Sequence, residues 1–353
     1  MCRIRCGMSS PKAMHATACF RPAKAPQFPK LLALALSCGF ALGAAAQTPA
    51  PTVPRIDVSF AGFWSLPDGA EARVNTDLNV LYADREWNVV WAIAENDGDI
   101  FFAGTGPHLN VRAGQMIHAS IPGRVGVNLS LEKATVDIFG EHRWPEPTVF
   151  DSAPDAARPR NGHWTRIEGM VDAQQEIDAS HLQLSVIHGN RAISCYLHLA
   201  TTDPVPLLEG KFIVADGVIS MKIDSTGAVV DTTLWVPDAN HLKTTHELAD
   251  DPRSRLPIRS IESLAELTTA QWVRVQGTVR EQQPGKSITL RDPTGQVQLT
   301  CGQSRPAQAG TVVNAFGYYD PAKSKWTLAQ GIFSPAAAAG VTLQPTAKLR
   351  LTE

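Results

Sequence analysis

Along most of the chain, apolar and polar residues alternate with period two in short runs broken by Gly and Pro, the pattern of half-buried strands. In the last third these runs cover residues 273–279, 287–291, 297–300, 312–319 and 326–332. Turn signals separate them: Pro284-Gly285, Pro293-Thr294-Gly295, Ala309-Gly310 and Asp320-Pro321. The middle third carries the run Leu182-x-Leu184-x-Val186, and His188-Gly189-Asn190-Arg191 predicts a hairpin turn after it. Residues 73–81, 89–94, 99–103 and 116–121 alternate in the same way, with Ala113-Gly114 ahead of the last run. One short helix is expected over 261–267, capped by Ser260 with Ser263 close behind.

Two of these units repeat. His163-Trp164-Thr165-Arg166-Ile167-Glu168-Gly169-Met170-Val171 lies in register with Gln271-Trp272-Val273-Arg274-Val275-Gln276-Gly277-Thr278-Val279 at an offset of 108. The agreement continues: Cys195 falls near Cys301, and Gly210 then Gly217 correspond to Gly310 then Gly317. Residues 72–139 read as a divergent first copy without the Trp-x-Arg pair.

Five strands whose first is bent and contains glycine suit a small closed barrel. The expected fold is therefore all-β, with three small OB-like five-stranded barrels in tandem, Pro-rich linkers and one short helix. The expected division is a signal peptide at 1–46, a divergent OB-like domain at 55–143, a Pro-rich linker at 144–162 and a second OB-like domain at 163–240. A linker at 241–257, a third OB-like domain at 258–335 and a tail at 336–353 complete it.

Trp-x-Arg-x-x-Gly-x-Val opening a strand, then an alternating strand, a short hairpin and Gly-x6-Gly, resembles a known family. Similar OB-fold-like repeats form the extracytoplasmic input region ahead of membrane-bound bacterial sensor histidine kinases and nucleotide cyclases. Phe63-Trp64-Ser65-Leu66-Pro67 and Leu234-Trp235-Val236-Pro237 fit the pattern too. The resemblance spans roughly residues 59–335 and implies a sensing role in two-component signal transduction. The chain as given reaches Glu353 without a membrane span, kinase or cyclase, so it is expected either to be the input end of a longer receptor or to work with a separate membrane-bound signalling partner.

Residues 1–46 hold six Lys or Arg and no acid, and an apolar run over 31–42 is followed by Gly43-Ala44-Ala45-Ala46-Gln47. That is a secretory signal peptide cleaved near Ala46, which implies a periplasmic or secreted protein. The long basic lead-in also allows translation to start at Met8 or Met14, and Ala35-Leu36-Ser37 matches a lipoprotein signal at Cys38 poorly. Cleavage leaves 26 basic and 34 acidic residues, a net charge of −8. This acidic balance disfavours nucleic acid as a partner, because affinity for a phosphate backbone comes from clustered Lys and Arg. Only Cys195 and Cys301 remain, too few for a disulfide scaffold; whether they bond to each other stays open.

Candidate chemistry is sparse. On the first strand of each clear repeat, Trp164 and Arg166, and likewise Trp272 and Arg274, project away from the core-like face. An outward tryptophan two residues from an arginine can hold a ligand or partner, or can pack against a neighbouring barrel or linker. His188, Cys195 and His198 include half of a zinc motif, but Cys195 and His198 should face opposite sides of a strand, so no metal or cofactor is expected. Asn96-Asp97-Gly98-Asp99 lacks the ligand alternation of a calcium loop and reads as a hairpin turn. No nucleophile elbow, phosphate loop or zinc-protease helix is present, which weighs against an enzyme.

The leading expectation is a non-catalytic extracytoplasmic binding or sensing module for a small ligand or envelope component. Single-strand nucleic-acid binding is the second reading, the best-known use of OB barrels, though strands two and three offer no stacking platform. A cell-envelope scaffold or glycan-binding protein is the third, since eight tryptophans could stack on sugars.

Overall fold

The computed structural model describes residues 56–94, 100–103, 109–126, 128–129, 133–150, 161–200, 205–225 and 229–336. The stretch expected as a signal peptide (1–46), residues 337–353 of the expected tail and residues 96–99, expected as a hairpin turn, lie outside these residues. The first unit contains β1 (Ile56–Val58), a helix α1 (Phe60–Trp64), β2 (Glu71–Asp84), β3 (Val89–Ala94), β4 (Ile100–Ala103), β5 (Gln115–Arg124), β6 (Asn128–Leu129) and β7 (Thr135–Glu141). The second contains β8 (Thr148–Val149), β9 (Trp164–Glu176), β10 (His181–His188), β11 (Arg191–His198), β12 (Lys211–Ile223), β13 (Val229–Val236) and β14 (Leu242–Glu247). The third contains β15 (Ile258–Arg259), β16 (Gln271–Gln283), β17 (Ser287–Arg291), β18 (Gln296–Thr300), β19 (Val312–Tyr319) and β20 (Thr327–Pro335).

The all-β expectation holds, and the second and third units are closed five-stranded barrels of one topology. Strands β9-β10-β11-β13-β12 run in that order and β12 pairs back onto β9; β16-β17-β18-β20-β19 repeat the order, with β19 closing onto β16. In both, the third and fifth strands pair in parallel and the other barrel pairs are antiparallel. The first unit keeps the same neighbours: β2 pairs β3 and β5, β3 pairs β4, and β5 pairs β7. Among the described residues no pairing joins β4 to β7. Each unit has its own apolar core.

A feature absent from the sequence reading unites all three units. A short lead-in strand pairs in parallel with each long first strand: β1 with β2, β8 with β9 and β15 with β16. These registers place Val149 opposite Arg166, Ile258 opposite Arg274 and Asp57 opposite Arg73.

Two devices bend the long first strand far enough to serve two neighbours. The first is glycine: a Cβ at Gly169 would lie 2.4 Å from the Ile187 carbonyl oxygen, and at Gly277 3.1 Å from that of Arg291. The second is a β-bulge against the next strand, between Val80 and Tyr82 in β2, Val171 and Ala173 in β9, and Val279 and Glu281 in β16. A bulge turns one side chain out of the alternation. The residues so turned are Leu81, Asp172 and Arg280. Leu81 and Asp172 are buried against the following barrel, whereas Arg280 is exposed.

Two expectations need correction. The 261–267 helix is a 3-10 segment, Glu262–Glu266. Its leading N–H groups go to Asp292 (Ile261 N–H to Oδ2, 2.8 Å) and Thr294 (Glu262 N–H to Oγ1, 3.1 Å), because the β17–β18 turn reaches it before Ser260 can. The 241–257 stretch is ordered: β14 extends the second sheet beside β12, and 3-10 segments follow at Leu248–Asp250 and Pro252–Arg255. Cys195 and Cys301 are free thiols in separate cores. Burial pushes the Cys195 thiol up to about 12 and the Cys301 thiol up to about 11.

Candidate functional site

The outer faces of the barrels are largely spent on one another. Between the first and second barrels Leu81, Tyr82, Val89, Trp91, Trp164 and Val218 are buried, with Trp87, Trp144 and Trp235 packed around them. Five of the eight tryptophans therefore lie in this seam, where they are not free to stack on a sugar. In the third barrel, the outward positions of β17 and β18 are Ser287, Thr289, Arg291, Gln296, Gln298 and Thr300. That polar face has no aromatic ring on which a base could stack.

The four residues singled out from the sequence do not form one site. Trp164 projects outward from its barrel but is buried in the seam, stacked on Trp144 at 4.8 Å. Arg166 stands opposite Asp216 on β12 and holds it bidentately, Nε to Oδ1 at 2.7 Å and Nη2 to Oδ2 at 2.8 Å. Trp272 packs edge-on to Phe316 and Tyr318 in the other seam. Arg274 donates from Nη1 to the Leu256 carbonyl at 3.4 Å. His188, Cys195 and His198 also stay apart, since Cys195 is in the barrel core and His188 lies against the Glu168 carbonyl.

Between the second and third barrels lies a half-open cleft of about 280 Å³, walled by Glu168, Phe212, Thr245, His246, Arg253, Gln330 and Ile332. Its floor is an aromatic–cation stack. The Arg253 guanidinium sits 4.8 Å from the Trp272 ring, 4.9 Å from Phe316 and 5.3 Å from Phe212, and His246 stacks on Phe212 at 4.4 Å. Asp251 fixes this arrangement. It accepts Arg253 Nε and Nη2 at 2.9 and 2.7 Å and the Arg253 N–H at 2.8 Å, while His246 Nε2 lies 3.2 Å away. Burial opposes ionisation of Asp251, but these bonds and the Arg253 charge outweigh it and hold the carboxyl at about 2. Arg253, Asp251 and His246 come from a Pro-rich stretch read as a linker; Asp251-Pro252-Arg253, an acid capping a proline-led turn, was the legible signal.

A second cluster lies in the first seam. His181 and His198 end the β10–β11 hairpin directly opposite each other, so their rings share a face and stack at 5.3 Å. Asp84, at the end of β2, places Oδ2 2.6 Å from His181 Nε2, and Asp178 Oδ1 lies 2.5 Å from His181 Nδ1. Trp87 covers the imidazole at 3.8 Å and donates its indole N–H to Asp178. Burial opposes ionisation of Asp178, yet hydrogen bonds from the Ser180 N–H, His181 and Trp87 hold it below the usual carboxylate range. Burial and the neighbouring Asp84 push Tyr82 well above the normal phenol value, so its hydroxyl stays protonated beside Asp84. Asp84, His181 and His198 can bring one ligand atom each within 4.8 Å of one another. Ninety-seven residues separate Asp84 from His181, and nothing in a single sequence joins them.

No protein-family model matches the chain, and no curated protein matches it. Several solved structures do. The HINa domain of Ifi202 in complex with 20-base-pair double-stranded DNA is 14% identical, with 48% of this chain and 95% of that chain covered, at a TM-score of 0.20. The p202 HIN1 domain in complex with 12-mer double-stranded DNA is 14% identical over 49% and 94%, at 0.20. A Replication Protein A heterotrimer bound to single-stranded DNA is 10% identical over 77% and 94%, at 0.23.

Proposed function

We propose that the chain is a non-catalytic binding module of the extracytoplasmic space, of the kind its repeats resemble in the input regions of sensor kinases. Its ligand seats in the cleft between the second and third barrels. The observation that carries this reading is the composition of that cleft. Apolar walls from both barrels (Phe212, Ile332) meet Glu168, Thr245, His246 and Gln330 around the held guanidinium of Arg253. A small polar molecule with an apolar edge suits such walls. Export rests on the basic, then apolar, then small-residue order of the first 46 residues.

The seams also bear on how binding would be reported. The second and third barrels are tied by a buried polar contact between Asp172 and Gln303 and by an exposed one, at the rim of the cleft, from the Gln330 N–H to Asn190. Ligand binding then alters the surface at the mouth of the cleft for a partner to read, rather than swinging one barrel against another.

The test is a fluorescence and thermal-shift titration of the secreted form with amino acids, mono- and disaccharides and peptidoglycan fragments. A saturable response that Glu168→Ala and Gln330→Ala both weaken at least tenfold is the expected result. A flat response across the panel, together with tight binding of labelled single-stranded DNA at physiological salt, overturns the reading.

A further inference from the structure

We propose that Asp84, His181 and His198 form a binding site for a single divalent transition metal, of which zinc is the best match, joining the first barrel to the second. Three features of the cluster carry this beyond a hydrogen-bonded histidine.

The first is the count of protons. A neutral imidazole has one N–H to give and one lone pair. His181 lies against a carboxylate oxygen at each ring nitrogen, with its side chain and that of Asp84 fully buried. If Nδ1–H donates to Asp178, the Nε2 lone pair points at Asp84 Oδ2, and the two acceptors need a cation between them. The second feature is His198, whose ring stacks beside His181 and brings a further nitrogen to the same spot.

The third feature is the outer layer. Histidine ligands usually donate their second ring N–H to a carboxylate that orients them. Asp178 occupies that place, itself held by the Ser180 N–H at 3.0 Å and the Trp87 indole at 2.9 Å. Two imidazoles and a carboxylate suit zinc or a neighbouring borderline ion, not calcium or magnesium, which take oxygen-only sets. Tetrahedral zinc at ordinary bond lengths sets its ligand atoms about 3.3 Å apart, so His181 and Asp84 would separate by under about 1 Å to admit it. The partly exposed His198 edge gives an entry path, and a water completes the fourth position.

The test is calorimetric titration of the purified, chelator-treated exported chain with zinc chloride, and absorption spectroscopy with cobalt chloride. The expected result is one equivalent bound, intense visible cobalt bands of tetrahedral type, and a rise in melting temperature with zinc. His198→Ala, at a partly exposed position, keeps the fold by circular dichroism and lowers affinity at least 100-fold. Asp178→Asn, which leaves the three ligands in place, lowers it about 10–100-fold. Binding of less than one equivalent, or equal binding by folded His198→Ala, overturns the site. In that case the cluster is a buried histidine hydrogen-bonded between two carboxylates.

Discussion

Gln303 of the third barrel donates from Nε2 to Asp172 Oδ1 of the second at 3.1 Å, with both residues almost wholly buried. Its other valences are filled as well, by the carbonyl and N–H of Phe333 at 3.2 and 2.7 Å. Asp172 Oδ2 takes the N–H groups of Ser304 and Arg305 at 2.9 and 3.2 Å. A carboxylate thrown outward by a strand bulge is thus the anchor for a loop of the next barrel.

Asp172→Ala should therefore remove one of the two acceptors of the buried Gln303 amide and the acceptor of the part-buried Ser304 and Arg305 N–H groups. Losing a hydrogen bond to a charged group costs about 1.5–3 kcal/mol. Urea denaturation is expected to show that loss, and equal stability of variant and parent would argue against a structural role for the contact.

The repeat glycines should differ in how much they resist substitution. At Gly169 the new methyl meets backbone at 2.4 Å, and at Gly277 at 3.1 Å. Gly169→Ala is expected to cost about 3 kcal/mol, the upper end of overpacking, and Gly277→Ala about 1 kcal/mol. Thermal denaturation of the two variants side by side checks the order; the reverse order would discredit the closure argument.

Acid should loosen the second seam through Asp251. Its folded-state value of about 2 lies below the ordinary 3.8, so its stabilising contribution is fully present above about pH 4 and disappears as pH falls through about 2. Urea midpoints measured from pH 5 to pH 2 should fall less steeply for Asp251→Asn than for the parent. Parallel curves would rule Asp251 out as the source.

Cys195 and Cys301 should be inert while the chain is folded, because burial in apolar cores disfavours the reactive thiolate. In a chain that begins at Gln47, an aromatic disulfide reagent at pH 8 is expected to release no chromophore from the native protein and two equivalents after denaturation. Rapid native labelling would mean that a barrel opens readily.

Much of the architecture was legible in the amino-acid order, and the reason is local. Period-two alternation, turn residues between runs and the recurrence of Trp-x-Arg-x-x-Gly-x-Val depend only on near neighbours and on one face of each strand being buried. Strands 287–291 and 312–319 come out with the bounds expected, and the His188–Arg191 hairpin closes as read. Gly169 and Gly277 sit where the first strand bends against its neighbour, as their place in the repeat implied. What failed locally failed for the same reason: residues 241–257 are polar and Pro-rich, and they become strand and 3-10 turn only because β12 offers an edge and two barrels offer walls.

The sites belong to the other category. Whether Trp164 meets a ligand or Trp144, whether Arg253 floats or lies on three rings, and whether Asp84 ever sees His181 depend on how one barrel is set against the next. That setting is decided by side chains the bulges turn aside: Leu81 into one seam, Asp172 into the other, and Arg280 into solvent where no further barrel is described. A bulge adds one residue without breaking the alternation on either side. The sequence by itself thus determined the strands, their repeat and their inward faces; only the tertiary structure decided which outward faces meet, because those contacts join residues with no local pattern in common.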